Sequence, residues 1–96
     1  MFARIASFEG GDTERLRQMT EERRAAGSEL PQGVRRAMVL ADREGGRRLF
    51  ITLFDSREAL EAATERFESM GDEIPQDVRG RRTSVDVYEV VFDESF

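Results

Sequence analysis

The chain has 96 residues, enough for a single domain spanning 1–96 with a modest core. Apolar residues make up 39% and charged residues 36%; the net charge of −5 disfavours nucleic acid and anionic membranes, which attract basic faces. His, Cys, Trp, Asn and Lys are all absent, which excludes disulfides, thiolate chemistry and a Ser–His triad.

The opening stretch, MFARIASFEG, lacks the basic start and long apolar core of a signal peptide. No apolar run approaches a membrane span, so a cytoplasmic protein is expected. FARIASF at 2–8 alternates as a strand does. EGGD at 9–12 reads as a turn ending in a cap, Asp12, for a first helix with Leu16, Met19 and Ala26 on one stripe. Gly27 and Pro31 close that helix. VRRAMVLAD at 34–42 is a second strand, REGG at 43–46 a hairpin turn, and RRLFITLF at 47–54 a third strand. A second helix is expected from an Asp55 cap, with Glu58 completing a capping box, to Gly71. Its stripe is Leu60, Ala63, Phe67 and Met70. A loop or short extra turn is expected at 76–83, and SVDVYEVVF at 84–92 is the last strand.

GSELPQGVRR at Gly27 returns as GDEIPQDVRG at Gly71. With an offset of 44, ten of the twenty-two positions from 14 to 35 are identical, with no gap. The unit of this repeat is a helix, a C-terminal Gly, a Pro-containing connection and a strand after it. Phe67 of the second copy is Arg23 in the first, so the first helix is expected to bury less and dock more weakly. The order β-α-β-β-α-β with two like halves is the ferredoxin-like α+β arrangement, a four-stranded antiparallel sheet with helices on one side.

Alternation divides the sheet residues between two faces. Ile5, Val39, Leu49, Ile51, Leu53, Val85 and Val87 are expected under the helices. Phe2, Arg4, Ala6, Phe8, Arg36, Met38, Leu40, Arg48, Phe50, Thr52, Phe54, Asp86, Tyr88, Val90 and Phe92 are expected on the other face. So greasy a face favours association, here with the same face of a second copy. On it, Arg4, Met38, Phe50, Thr52, Asp86 and Tyr88 form a candidate ligand-binding set. A half-buried Arg4 suits a carboxylate or enolate, and Tyr88 can donate a hydrogen bond to the same ligand. The competing reading is an Arg4–Asp86 ion pair that satisfies both groups at the interface. Exposed turn acids without a ligand loop give no metal site, and no cofactor is expected.

LFITLFDSREALEAA at 49–63 resembles the strand–turn–helix of the dimeric α/β-barrel superfamily, most of all its antibiotic-biosynthesis-monooxygenase-like branch, through Phe54, Asp55, Ser56, Glu58 and Ala59. The resemblance implies a homodimer whose two sheets enclose a barrel. It implies a pocket between each sheet and its own helices, or inside the barrel, and a C-terminal segment near 90–96 that reaches over the partner. It also implies cofactor-independent oxygenation of aromatic substrates or haem degradation. The residues usual for those reactions, Asn, Trp and His, are missing from this chain. The expectation is therefore a homodimer that binds a small, partly apolar ligand on the barrel-facing side of the sheet. A monooxygenase-like or isomerase-like enzyme, or an ACT-like regulatory module, are the alternatives. An RNA-binding sheet is disfavoured by the acidity and by the missing glycines of that motif.

Overall fold

A computed structural model describes residues 1–27 and 30–96; Ser28 and Glu29 of the repeated phrase lie outside the described residues. The elements are β1 (Phe2–Glu9), α1 (Thr13–Ala25), β2 (Val34–Asp42), β3 (Arg47–Phe54), α2 (Arg57–Asp72), α3 (Gln76–Arg79) and β4 (Arg81–Glu89). The strands form one antiparallel sheet in the order β2-β3-β1-β4, the ferredoxin-like topology expected from the repeat.

The repeat has a structural counterpart. Val34 N–H donates to the Pro31 carbonyl, and Val78 N–H to the Pro75 carbonyl, so each copy makes the same Pro-initiated turn. The copies then part. Gly33, at φ 92°, lets the first enter β2 at once, whereas the second winds on through α3 and buries Val78. The extra turn expected at 76–83 is thus a helix of four residues, and β4 begins at Arg81, not at residue 84. Residues 90–96 lie beyond it without regular structure.

Local chemistry sets the helix ends. Asp12 caps α1, its Oδ1 accepting from Arg15 N–H at 3.0 Å. For α2 the cap is Ser56, whose Oγ accepts from Ala59 N–H at 3.1 Å, and not Asp55. Asp55 instead lies 3.3 Å from Arg35. Nor does α2 stop at Gly71: it runs on to Asp72, with Glu73 as the C-cap residue.

The main correction concerns the faces of the sheet. Directly paired residues share a face. On the helix side, Val34, Phe54, Phe2 and Glu89 make one row, Ala37, Thr52, Arg4 and Val87 the next, and Val39, Phe50, Ala6 and Val85 the third. Val39, Val85 and Val87 are on that side as expected, but on the edge strands they stay exposed rather than covered by a helix, and β1 and β3 are turned over relative to expectation. Phe2, Arg4, Ala6, Phe8, Arg48, Phe50, Thr52 and Phe54 lie beneath the helices, and Ile5, Leu49, Ile51 and Leu53 on the open face. The reason is aromatic packing. Phe67 of α2 meets Phe50 and Phe54 edge-on, with ring centres 5.9 and 6.0 Å apart. Phe54, Leu60, Ala63 and Phe67 form the buried centre of the core.

Candidate functional site

The two helices do not cover the sheet equally. α2 buries Leu60, Ala63 and Phe67, whereas α1 buries no residue. Polar contacts at its N-terminal end hold α1 in place: Arg43 on Glu14 at 2.6 Å and Arg48 on Thr13 Oγ1 at 3.1 Å. Where symmetry would put a second Phe67, α1 carries Arg23. The apolar ring is replaced by a charged side chain that reaches toward Glu73, and a cleft of about 770 Å³, lined in part by Arg23, runs between the sheet and the helices.

Its floor and walls come from Arg4, Ala6 and Phe8 of β1, Phe50 of β3, Phe67 and Met70 of α2, and Leu16, Thr20 and Arg23 of α1. Arginines dominate its charge: Arg4, Arg23, Arg24, Arg66, Arg79 and Arg82 stand along it, against Glu68 and Glu73. A protein of net charge −5 has thus turned a cationic, phenyl-lined concavity inward.

Arg4 is the deepest of these cations, 4% exposed on the central strand β1. Its guanidinium carbon lies 5.3 Å from the centre of the Phe67 ring, a cation–π contact. Among the described residues its side chain makes one hydrogen bond, from Nη2 to Glu68 Oε1 at 3.3 Å. Its other N–H groups meet no protein acceptor and are not sealed from the cleft. Burial pulls the guanidinium below its ordinary value while Glu68 pushes back, and an arginine so placed keeps its charge at neutral pH. Arg82 of β4 holds the same Glu68 more tightly, with Nη1 at 2.7 and 2.6 Å from its two oxygens. That hydrogen bond is the main cause holding the Glu68 carboxyl below its ordinary value.

Arg48, also 4% exposed, has another role. It donates to Thr13 Oγ1 and to the Arg79 carbonyl, tying β3 to the start of α1 and the end of α3. Desolvation lowers its affinity for a proton, and the Asp12 charge opposes that. The chain crosses itself closely here: a Cβ on Gly80 would stand 2.5 Å from the Glu9 carbonyl oxygen. Arg48 is a structural tie beside the cleft. Among the described residues, Arg79 Nε is the one buried side-chain polar atom without a partner.

The six residues singled out from sequence do not form one group. Arg4, Phe50 and Thr52 are together on the helix side, with Thr52 fully buried beneath the cleft floor. Asp86 pairs with Ile5 and Tyr88 with Ala3, which puts both on the open face; Met38 pairs with Ile51 on that face too, but on the edge strand β2 it also borders the cleft. Arg4 therefore cannot pair with Asp86; its acidic partner is Glu68 of α2. Sequence reasoning also missed Phe67, Glu68 and Arg82 as site residues. The signal available for them was the substitution of Phe67 by Arg23 across the repeat, which marks where a cavity opens.

No protein-family model and no curated protein matches this chain. Solved structures do. An arginine-to-serine variant of MhuD, crystallised with two manganese protoporphyrin IX molecules per active site, superposes with a TM-score of 0.65 at 18% identity, over 100% of both chains. A Deinococcus radiodurans protein assigned to the antibiotic biosynthesis monooxygenases gives a TM-score of 0.55 at 15% identity, covering 100% of this chain and 98% of its own. This chain has the ferredoxin-like fold of both, and the resemblance in residues 49–63 holds at the level of fold.

Proposed function

We propose that the protein binds a small amphipathic anion, a flat apolar body carrying a carboxylate or enolate, in the cleft between the sheet and its helices. The observation that carries this reading is Arg4: a buried guanidinium on a central strand, backed by Phe67, with N–H groups that no acceptor among the described residues uses. A buried charge is costly unless something pairs with it, and the Glu68 contact alone leaves most of its donors free. Phenyl edges on the walls suit a flat ring, and Arg4 suits its charged end. The ligand site moves accordingly from the barrel-facing side of the sheet to the helix side.

Titrating the protein with 2-naphthoate and, separately, with 2-naphthylmethanol tests this. NMR shifts on naphthoate addition are expected at Arg4, Ala6, Phe50 and Phe67, not at Ile5, Ile51 or Tyr88, and the alcohol binds more weakly. Equal affinity for both probes, or shifts confined to the open face, overturns the reading.

The second part of the proposal is a homodimer through the open face. Ile5, Met38, Leu40, Leu49, Ile51 and Leu53 lie there, and among the described residues no layer of their own chain stands above them. Arg36 on one edge strand and Asp86 on the other give that face opposite charges at opposite edges, so it complements itself. In analytical ultracentrifugation the wild type is expected to sediment as a dimer and Ile51→Glu as a monomer. A monomeric wild type at tens of micromolar refutes this.

A cofactor-independent monooxygenase on an aromatic substrate is a second reading, favoured by the fold shared with the Deinococcus radiodurans protein. Arg4 would then stabilise an anion formed on the substrate. Oxygen uptake with an anthrone or quinol, lost in Arg4→Met, is its signature. The metalloporphyrin of the MhuD structure does not fit the residues present. The chain has no His, and Tyr88 lies exposed on the face away from the cleft, so neither supplies an axial ligand there.

A further inference from the structure

We propose that Glu68 is a built-in competitor for the ligand's anionic group, and that Arg82 is the post to which it withdraws when ligand binds. The proposal deepens the cleft reading and rests on it. Glu68 touches both cations, but unequally. Its contact with Arg4 is single and long, 3.3 Å, while Arg82 reaches both of its oxygens at 2.7 and 2.6 Å. Charge-assisted N–H···O bonds are strongest near 2.7–2.9 Å, so the Arg4 contact is the weaker and is given up first.

The exposures give the exchange a direction. The Arg4 side chain is 4% exposed and fixed on a central strand, whereas Glu68 and Arg82 are 45% and 42% exposed at the cleft edge and free to adjust. An entering carboxylate that takes Arg4 would share it with the Glu68 carboxylate, and like charges at one cation repel. Moving Glu68 fully onto Arg82 removes that conflict without leaving an acid unpaired. A neutral polar group has no charge with which to displace Glu68, so the same contact selects for anions. Arg82 thus acts through Glu68, as a positioning residue.

The test is a double-mutant cycle of Glu68→Gln and Arg82→Gln, read by isothermal titration with 2-naphthoate and 2-naphthylmethanol. Both residues are half-exposed, and thermal melts check that each variant folds. Glu68→Gln should tighten naphthoate binding about three- to tenfold and leave the alcohol within about twofold. Arg82→Gln should weaken naphthoate by a similar factor in the wild-type background and change it less than about twofold in the Glu68→Gln background. If Arg82→Gln costs the same in both backgrounds, Arg82 acts as a plain field charge and the exchange is wrong. If Glu68→Gln leaves naphthoate unchanged or weaker, Glu68 is no competitor. If naphthoate binds no variant while all are folded, the cleft reading falls and takes this one with it.

Discussion

Replacing Arg4 by Met separates function from stability. Met keeps an unbranched apolar stem in the same slot and removes the charge. Only two interactions go with the guanidinium: one 3.3 Å bond to a half-exposed Glu68, which keeps Arg82, and a cation–π contact with Phe67. An ion pair whose acid is half-exposed and keeps a second cation contributes about 0–1 kcal/mol, and a cation–π contact about 0.5–2 kcal/mol. Against these stands the relief of a desolvated guanidinium, which reaches several kcal/mol for a buried ion. The net change should fall within about 1 kcal/mol of zero, a midpoint shift under about 8 °C for a domain of this size. Naphthoate affinity, by contrast, should drop more than about tenfold, the worth of a charged hydrogen bond in a desolvated site. Urea unfolding followed by far-UV circular dichroism gives the first quantity and isothermal titration the second. A loss above about 3 kcal/mol with naphthoate binding unchanged would make Arg4 a structural keystone, with no ligand needed to explain its burial.

Arg23→Phe restores the repeat and puts a ring into the cleft. It should stabilise the fold by about 1–2 kcal/mol through new apolar burial while weakening naphthoate binding, and a destabilised variant with intact binding contradicts the origin assigned to the cleft. Gly80→Ala places a Cβ 2.5 Å from the Glu9 carbonyl oxygen at φ 80°, whereas Gly46→Ala at φ 67° meets open space. Chemical denaturation should show losses of about 2–4 kcal/mol for the first and about 1 kcal/mol for the second; equal losses would mean that the loops do not cross as described. Glu68, Glu14 and Asp42 all have folded-state carboxyl values lowered, by the Arg82 hydrogen bond, the Arg43 hydrogen bond and the Gly45 backbone N–H respectively. A lowered folded value means that the charged form is favoured in the native state. The stabilisation is therefore complete above the ordinary carboxylate range near 4.5 and is lost as pH falls through the lowered values. Thermal melts from pH 6 down to pH 2 should show a falling midpoint below about pH 4.5 that Glu68→Gln partly flattens, and a midpoint flat to pH 2 would contradict it.

How far the sequence could be read depended on which residues carried the signal. The helices, the turn at 43–46 and the order of elements follow from period, caps and glycines, all of which act within a few residues. The offset repeat added the two-halves topology, because equal phrases at a fixed spacing imply equal supersecondary units. The weak docking of α1 was visible in one substitution, Arg23 against Phe67. The α2 cap fell one residue later than expected because Asp55 and Ser56 are both good caps, and the Arg35–Asp55 contact leaves Ser56 to do it.

Sequence alone determined the two alternating sets on each strand; which set faces the helices was decided only in three dimensions. On β1 and β3 both sets are apolar enough to be buried: Phe2, Ala6, Phe50 and Phe54 in one, Ile5, Leu49, Ile51 and Leu53 in the other. The aromatic set also carries two arginines, Arg4 and Arg48, and a cation is costly to bury. Tertiary packing offset that by supplying what no local pattern shows: a ring from α2 for the phenyls, Glu68 for Arg4, and a hydroxyl and a carbonyl for Arg48. Strand period is a property of neighbours along the chain, whereas the partners of a buried charge come from residues tens of positions away.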